Sequence, residues 1–277
     1  MNYVIFKGVN SNTIPGLLIC ELPSITKPKM RYEATEIDGR DGNITDELGY
    51  SAYIKEMIIG IYGSSIYRNN NLNGIELNNV ELNENKTKLN KNLNKNSNVY
   101  DIGYDIDAIS KYFSGSGQIT FSNEPDKYYN VSFLDQIDFE RLVKFKTSRV
   151  KIITQPFKYL KDEPNVDVTI TDQTLIEVTN QGLETSKPII KLYGTEIVEI
   201  LINGLSIFQL NYSVNPDIPD EYLTVNSEIE ECYKDTPGSL KNRSMAGEFP
   251  ILYPGENQIK WIGNITRIVV EPKSKWI

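Results

Sequence analysis

The 277-residue sequence contains no histidine. That absence removes the commonest general base, the Ser-His and Cys-His catalytic pairs and most zinc geometries. Cysteine is nearly as scarce. Cys20 and Cys232 are too few and too far apart in sequence for a disulfide framework, so the expectation is two thiols in a reducing compartment. Long hydrophobic runs are missing as well, and no stretch approaches the roughly 18 apolar residues that a membrane span needs. The opening residues Met1 to Gly8 lack the charged start, apolar run and cleavage site of a signal peptide, which predicts a protein made soluble in a cytoplasm. Positive charge is in deficit, with 29 Lys plus Arg against 37 Asp plus Glu and a net charge of −8. A dedicated nucleic-acid binder would instead show a basic footprint.

Chemistry-bearing motifs are thin. No Gly-x-x-x-x-Gly-Lys-Ser/Thr phosphate loop and no Ser-x-x-Lys signature occurs. Gly115-Ser116-Gly117 reads as a turn after a helix. Asp101, Asp105 and Asp107 miss the spacing of a calcium loop. Glu228, Glu230 and Glu231 form the best carboxylate cluster, and in a strand Glu228 and Glu230 would share one face. A solvated acidic face explains them far better than a glycosidase pair does. The expectation is therefore no enzyme, no cofactor and no metal.

What is present is a succession of short Ile, Val, Tyr and Phe runs separated by Gly, Pro, Asn and Asp. Residues 4–6, 17–20, 57–62, 119–121, 150–153, 189–193, 197–202, 206–210, 258–262 and 268–270 read as strands. The fold class is mainly β, as sandwiches or barrels. One segment departs from it. Ile106, Ile109, Tyr112 and Phe113 fall at helical spacing, with Asp105 or Asp107 as start cap and Gly115 as terminator, which predicts one short amphipathic helix. The polar, proline-punctuated run 161–165 predicts a boundary near residue 160, giving domains 1–160 and 161–277. The first holds 19 basic and 19 acidic residues and the second 10 and 18, so the whole negative surplus lies in the second. Residues 69–98 include 13 asparagines and read as an insertion or projecting arm.

Gly39-Arg40-Asp41-Gly42 is the most distinctive short segment, two glycines around a polar pair that mark a tight hairpin turn. Arg40 and Asp41 can bond to the turn backbone or to a neighbouring chain. Within the Asn-rich segment, Ile75 and Leu77 alternate with polar residues as a hairpin would. Trp261 shares a face with Ile259 if its segment is a strand. That position reads first as core and second as a sugar-stacking platform. Trp276 is expected to seal an edge or an interface.

Pro23 to Pro28, Arg31-Tyr32-Glu33, Ile37 to Gly42 and Gly49-Tyr50 together resemble the N-terminal domain of siphovirus-type phage distal tail proteins. The resemblance continues in order through the helix, Gly115 to Ser122, Pro125 to Tyr129 and Pro156-Phe157-Lys158-Tyr159. It extends through Asn180-Gln181-Gly182, Ser186 to Ile190, Ile202-Asn203-Gly204 and Phe249 to Asn257, and so covers nearly the whole chain. The Asn-rich segment is longer and more polar than the family pattern. The resemblance implies an N-terminal β-sandwich with a helix and an extended arm, and a galectin-like C-terminal β-sandwich. It further implies a homohexameric ring at the virion tail tip, joining the tail tube protein to a tail-associated hub or fibre protein. DNA would pass through the ring without specific binding, with no cofactor or metal. In that reading Arg40, Asp41, Ile75 and Leu77 are the subunit-contact candidates. The neutral half would build the ring and the acidic half would lie outside. The alternative is a carbohydrate-binding protein contacting the host surface through its C-terminal sandwich and Trp261.

Overall fold

The computed structural model describes residues 1–39, 41–62, 98–212 and 221–277. They divide into two compact units, Met1–Pro125 with Asn130–Gln155, and Asp126–Tyr129 with Pro156–Ile277. Both are sheet-rich and sandwich-like, and the chain is mainly β as its apolar runs predict.

In chain order the elements reaching the first unit are β1 (Val4–Phe6), β2 (Val9–Asn10), β3 (Leu17–Glu21), β4 (Met30–Glu36), β5 (Asn43–Tyr50) and β6 (Tyr53–Ile61). They continue with α1 (Asn98–Tyr112), β7 (Gly115–Phe121), β8 (Lys127–Phe133), α2 (Phe139–Phe145) and β9 (Thr147–Leu160). The main sheet runs β2-β1-β7-β8-β9-β6-β3, while β4 and β5 form a separate two-stranded sheet. Period-2 alternation turns Met57 and Ile59 of β6, Ile119 and Phe121 of β7, and Val150 and Ile152 of β9 into the core. Each such side chain contributes about 1.5–3 kcal/mol on full burial.

Helix α1 is longer than its apolar spacing predicts. It begins at Asn98, so Asp105 and Asp107 lie within it rather than capping it. Ile109 and Phe113 are buried as expected, and the Phe6 ring meets Tyr112 and Phe133 edge-on. Gly115 follows with a φ of +74° and opens β7. A second helix, α2, was not expected. Asp138 caps it by accepting from the Arg141 amide at 2.8 Å, and Lys146 ends it in the left-handed region.

The second unit holds the tail of β9 and then β10 (Val166–Thr169), β11 (Leu175–Asn180), β12 (Ile189–Ile202), β13 (Leu205–Tyr212) and β14 (Tyr222–Asn226). It ends with β15 (Glu231–Tyr233), β16 (Met245–Gly247), β17 (Gly255–Glu271) and β18 (Lys275–Trp276). The sheet order is β10-β17-β12-β13-β16, with β11 beside β17 and β14 between β12 and β15. Strands β12 and β17 pair along their length, but the register shifts at Tyr193/Gly194 and again at Thr195/Glu199. The shifts separate two halves. Ile189–Tyr193 pairs with β14, and Glu196–Ile202 with β13. Gly194 makes the bend possible, because a Cβ there would lie 2.3 Å from the Asn264 carbonyl oxygen. Side chains from both halves, including Ile190, Leu192, Ile200, Ile259, Ile268 and Val270, share one core. The sandwich is thus a pair of long strands bent across a common interior.

Glu228, Ile229 and Glu230 are not in a strand. They form the turn between β14 and β15, where Glu230 takes a φ of +54° and pairs with Lys187 at 3.2 Å. Glu228 therefore does not share a pleated face with Glu230, as it would in a strand.

Candidate functional site: an acidic hairpin exposed on both faces

Strands β4 and β5 pair antiparallel from Met30↔Tyr50 to Glu36↔Asn43, with a bulge between Met30 and Tyr32. The turn that joins them is the one the sequence marks. Gly39 and Gly42 both have φ near +80°, a conformation that side-chain-bearing residues resist, and neither has an atom within 4 Å of a would-be Cβ. Asp41 is exposed in that turn. At the base, the Ser51 amide donates to the Lys29 carbonyl at 2.8 Å and the Arg31 guanidinium donates to the Leu48 carbonyl at 2.9 Å.

Every residue from Arg31 to Gly39 and from Asp41 to Gly49 is exposed. An amphipathic strand hides one face, and this ribbon hides neither. Cross-strand partners share a face. Tyr32, Ala34 and Glu36 with Glu47, Thr45 and Asn43 make one side; Glu33 and Thr35 with Asp46 and Ile44 make the other, to which alternation along the strands adds Arg31 and Leu48 beside the bulge. On the second side Glu33 and Asp46 are directly opposite, with Ile44 and Leu48 flanking them at 39% and 52% exposure. Like charges in that position oppose pairing, and an isolated two-stranded hairpin is at best marginal in water. Residues 30–50 carry six carboxylates against Arg31 and Arg40. No ion pair to any of these carboxylates occurs among the described residues.

Of the residues singled out in the sequence, Asp41 lies on this ribbon, whereas Arg40, Ile75 and Leu77 lie outside the described residues. The sequence reading did not pick out Glu33, Asp46, Ile44 and Leu48 as a set; the local charge excess of residues 30–50 is the signal that marks them. Trp261 belongs to the second unit. It is half-buried against that unit's core on the same strand face as Ile259, as alternation predicts. Trp276 pairs across from Lys158 and has the Lys127 ammonium 4.9 Å from its ring centre. Among the described residues no cluster of three or more Cys, Asp or Glu is placed to hold a metal ion, and no helix is long and apolar enough to cross a membrane.

The fold has a counterpart in a solved phage protein. The chain matches the crystal structure of the phage SPP1 Dit (gp 19.1) protein, described as a paradigm of the hub adsorption apparatus in phages infecting Gram-positive bacteria. That match has a TM-score of 0.61 at 16% identity and covers 100% of both chains, so the fold is shared throughout. A chain of the phage P2 baseplate, in its activated conformation with Ca, matches more weakly, with a TM-score of 0.48 at 12% identity over 97% of this chain and 96% of that one. No protein-family model and no curated protein sequence matches the chain.

Proposed function

We propose that this chain is a structural distal tail, or baseplate hub, protein. Six copies close a ring at the virion tail tip, join the tail tube protein to a tail-associated hub or fibre protein, and surround the channel through which DNA leaves. The protein is made in the cytoplasm of a bacterial host and acts as geometry rather than as an enzyme. The observation that carries this reading is the correspondence of fold with SPP1 Dit along the entire chain, both units included. The ribbon of β4 and β5 supports it, because a hairpin with no buried face of its own gains one in an assembly. A ring requires a heterologous contact, in which one patch meets a different patch on the next copy. A near-neutral N-terminal half lets six copies pack without accumulating repulsion and leaves the channel without a grip on DNA. Negative-stain images of the purified protein test this: six-fold rings with an open centre are expected, and single-chain particles at all concentrations refute it.

A further inference from the structure

The hairpin's second face combines two features, an apolar pair and an opposed pair of carboxylates. A surface with the complementary features lies elsewhere on the same unit. Residues 139–151, from the start of α2 into β9, carry Arg141, Lys144, Lys146, Arg149 and Lys151 against the single acid Glu140. All five cations are exposed. Beside them runs an apolar groove of about 460 Å³ lined by Ile106, Phe139, Glu140, Val143 and Lys144. Phe145 stands 62% exposed, with the Arg141 and Lys144 head groups 6.0 and 5.4 Å from its ring centre. Of the five cations, Arg149 has an acidic partner in Glu56, at 3.6 Å between two exposed side chains.

We propose that the Glu33/Asp46 face of one copy's hairpin docks on the α2 surface of a second copy. Ile44 and Leu48 enter the groove beside Val143 and Phe139, and the two carboxylates meet Arg141 and Lys144. This rests on the ring reading and supplies its contact surfaces. The occupant is a second copy because the acidic-apolar ribbon and the basic-apolar groove sit on one chain, on different elements. Such a pair is self-complementary head to tail, which is what a closed ring uses. Docking also removes the penalty of opposing Glu33 to Asp46, since cations then lie over both. Contacts of this kind speed encounter and weaken with salt.

Charge reversal tests the pairing in the full-length protein. The hairpin variant Glu33→Lys/Asp46→Lys and the groove variant Arg141→Glu/Lys144→Glu are each expected to stay monomeric at concentrations where the wild type assembles, a weakening of at least tenfold. Mixing the two variants is expected to restore assembly, because each hairpin then faces an opposite-charged groove on its neighbour; native mass spectrometry should find equal numbers of each. Rings that form unchanged from either single variant overturn the pairing and leave the ring reading intact. Failure of the mixture to assemble, with both variants folded by circular dichroism, also overturns the pairing. Failure of the wild type to assemble overturns the ring reading itself.

Discussion

Replacing Tyr112 with Phe isolates one hydroxyl on which the start of the first unit depends. The ring is buried, edge-on to Phe6 and 4.8 Å from Phe113 between ring centres, and Phe preserves those contacts. The hydroxyl oxygen accepts from the Phe6 amide at 3.2 Å, and its single proton serves the Val4 carbonyl at 3.2 Å and the Val9 carbonyl at 3.0 Å. Burial pushes its ionisation well above the ordinary tyrosine range, as expected for a neutral donor enclosed by backbone. Removing the oxygen takes away the second acceptor of the Phe6 amide, which also faces Val9 across the β1–β2 ladder, and the only side-chain donor to the Val4 and Val9 carbonyls among the described residues, at a cost of about 0.5–1.5 kcal/mol. At about 1.4 kcal/mol per decade, exchange at that amide should speed up by roughly 2- to 12-fold. Hydrogen–deuterium exchange of the full-length protein, read on peptides covering residues 4–10, measures this, with β8 as the internal control. Unaltered exchange at Phe6 would refute the assignment of this hydroxyl as the amide's anchor.

In the second unit, Asn257 is fully buried; its amide group donates to the Tyr253 and Gly255 carbonyls, and its oxygen accepts from the Tyr253 amide and the Asn203 side chain. Asn257→Ala should cost about 2–4 kcal/mol by orphaning several of these groups at once, and a denaturant midpoint unchanged within error would contradict it. A thiol reagent at neutral pH should label Cys20, which is exposed, and spare buried Cys232 until the protein unfolds; two reactive thiols in the native protein would contradict the fold. Burial pushes the Cys232 thiol up to about 11 from 9.0, and burial plus the Glu124 carboxylate pushes Tyr53 up to about 12 from 10.0. Both folded values lie above the unfolded ones, so their contribution to stability is fully present below about pH 9 and is lost as pH rises from there toward 12. A denaturation series across that window should show a steady alkaline decline.

Strands with a buried face were legible because their alternation is written in Val, Ile and Phe; β1, β6, β7 and β9 are of this kind. Strands β12 and β17 each read as two shorter ones. Their apolar pattern stops at Gly194 and around Gly263, where the chain bends between the halves of the sandwich. The turn between β4 and β5 was visible in Gly39 and Gly42, but the extent of the ribbon was not, since Tyr32 to Glu36 has no apolar face to signal a strand. Helix α2 has two turns, too few for a period to emerge, although Asp138 marks its start. Asn203-Gly204 was recognisable as turn chemistry. Its pairing with Asn257, which fastens that turn to β17, is a contact 54 residues apart in sequence that no local pattern encodes. The candidate site shows the same divide. Asp41 stands out beside its glycines, whereas Glu33 and Asp46 become a pair only through the register of the hairpin.

Assembly is the central claim, and mass photometry of the purified full-length protein across a concentration and salt series addresses it most directly. A species near 190 kDa, six times the 31.6 kDa chain, is expected to accumulate with concentration and to recede as salt screens the contacts. A single 31.6 kDa species under every condition would contradict the account.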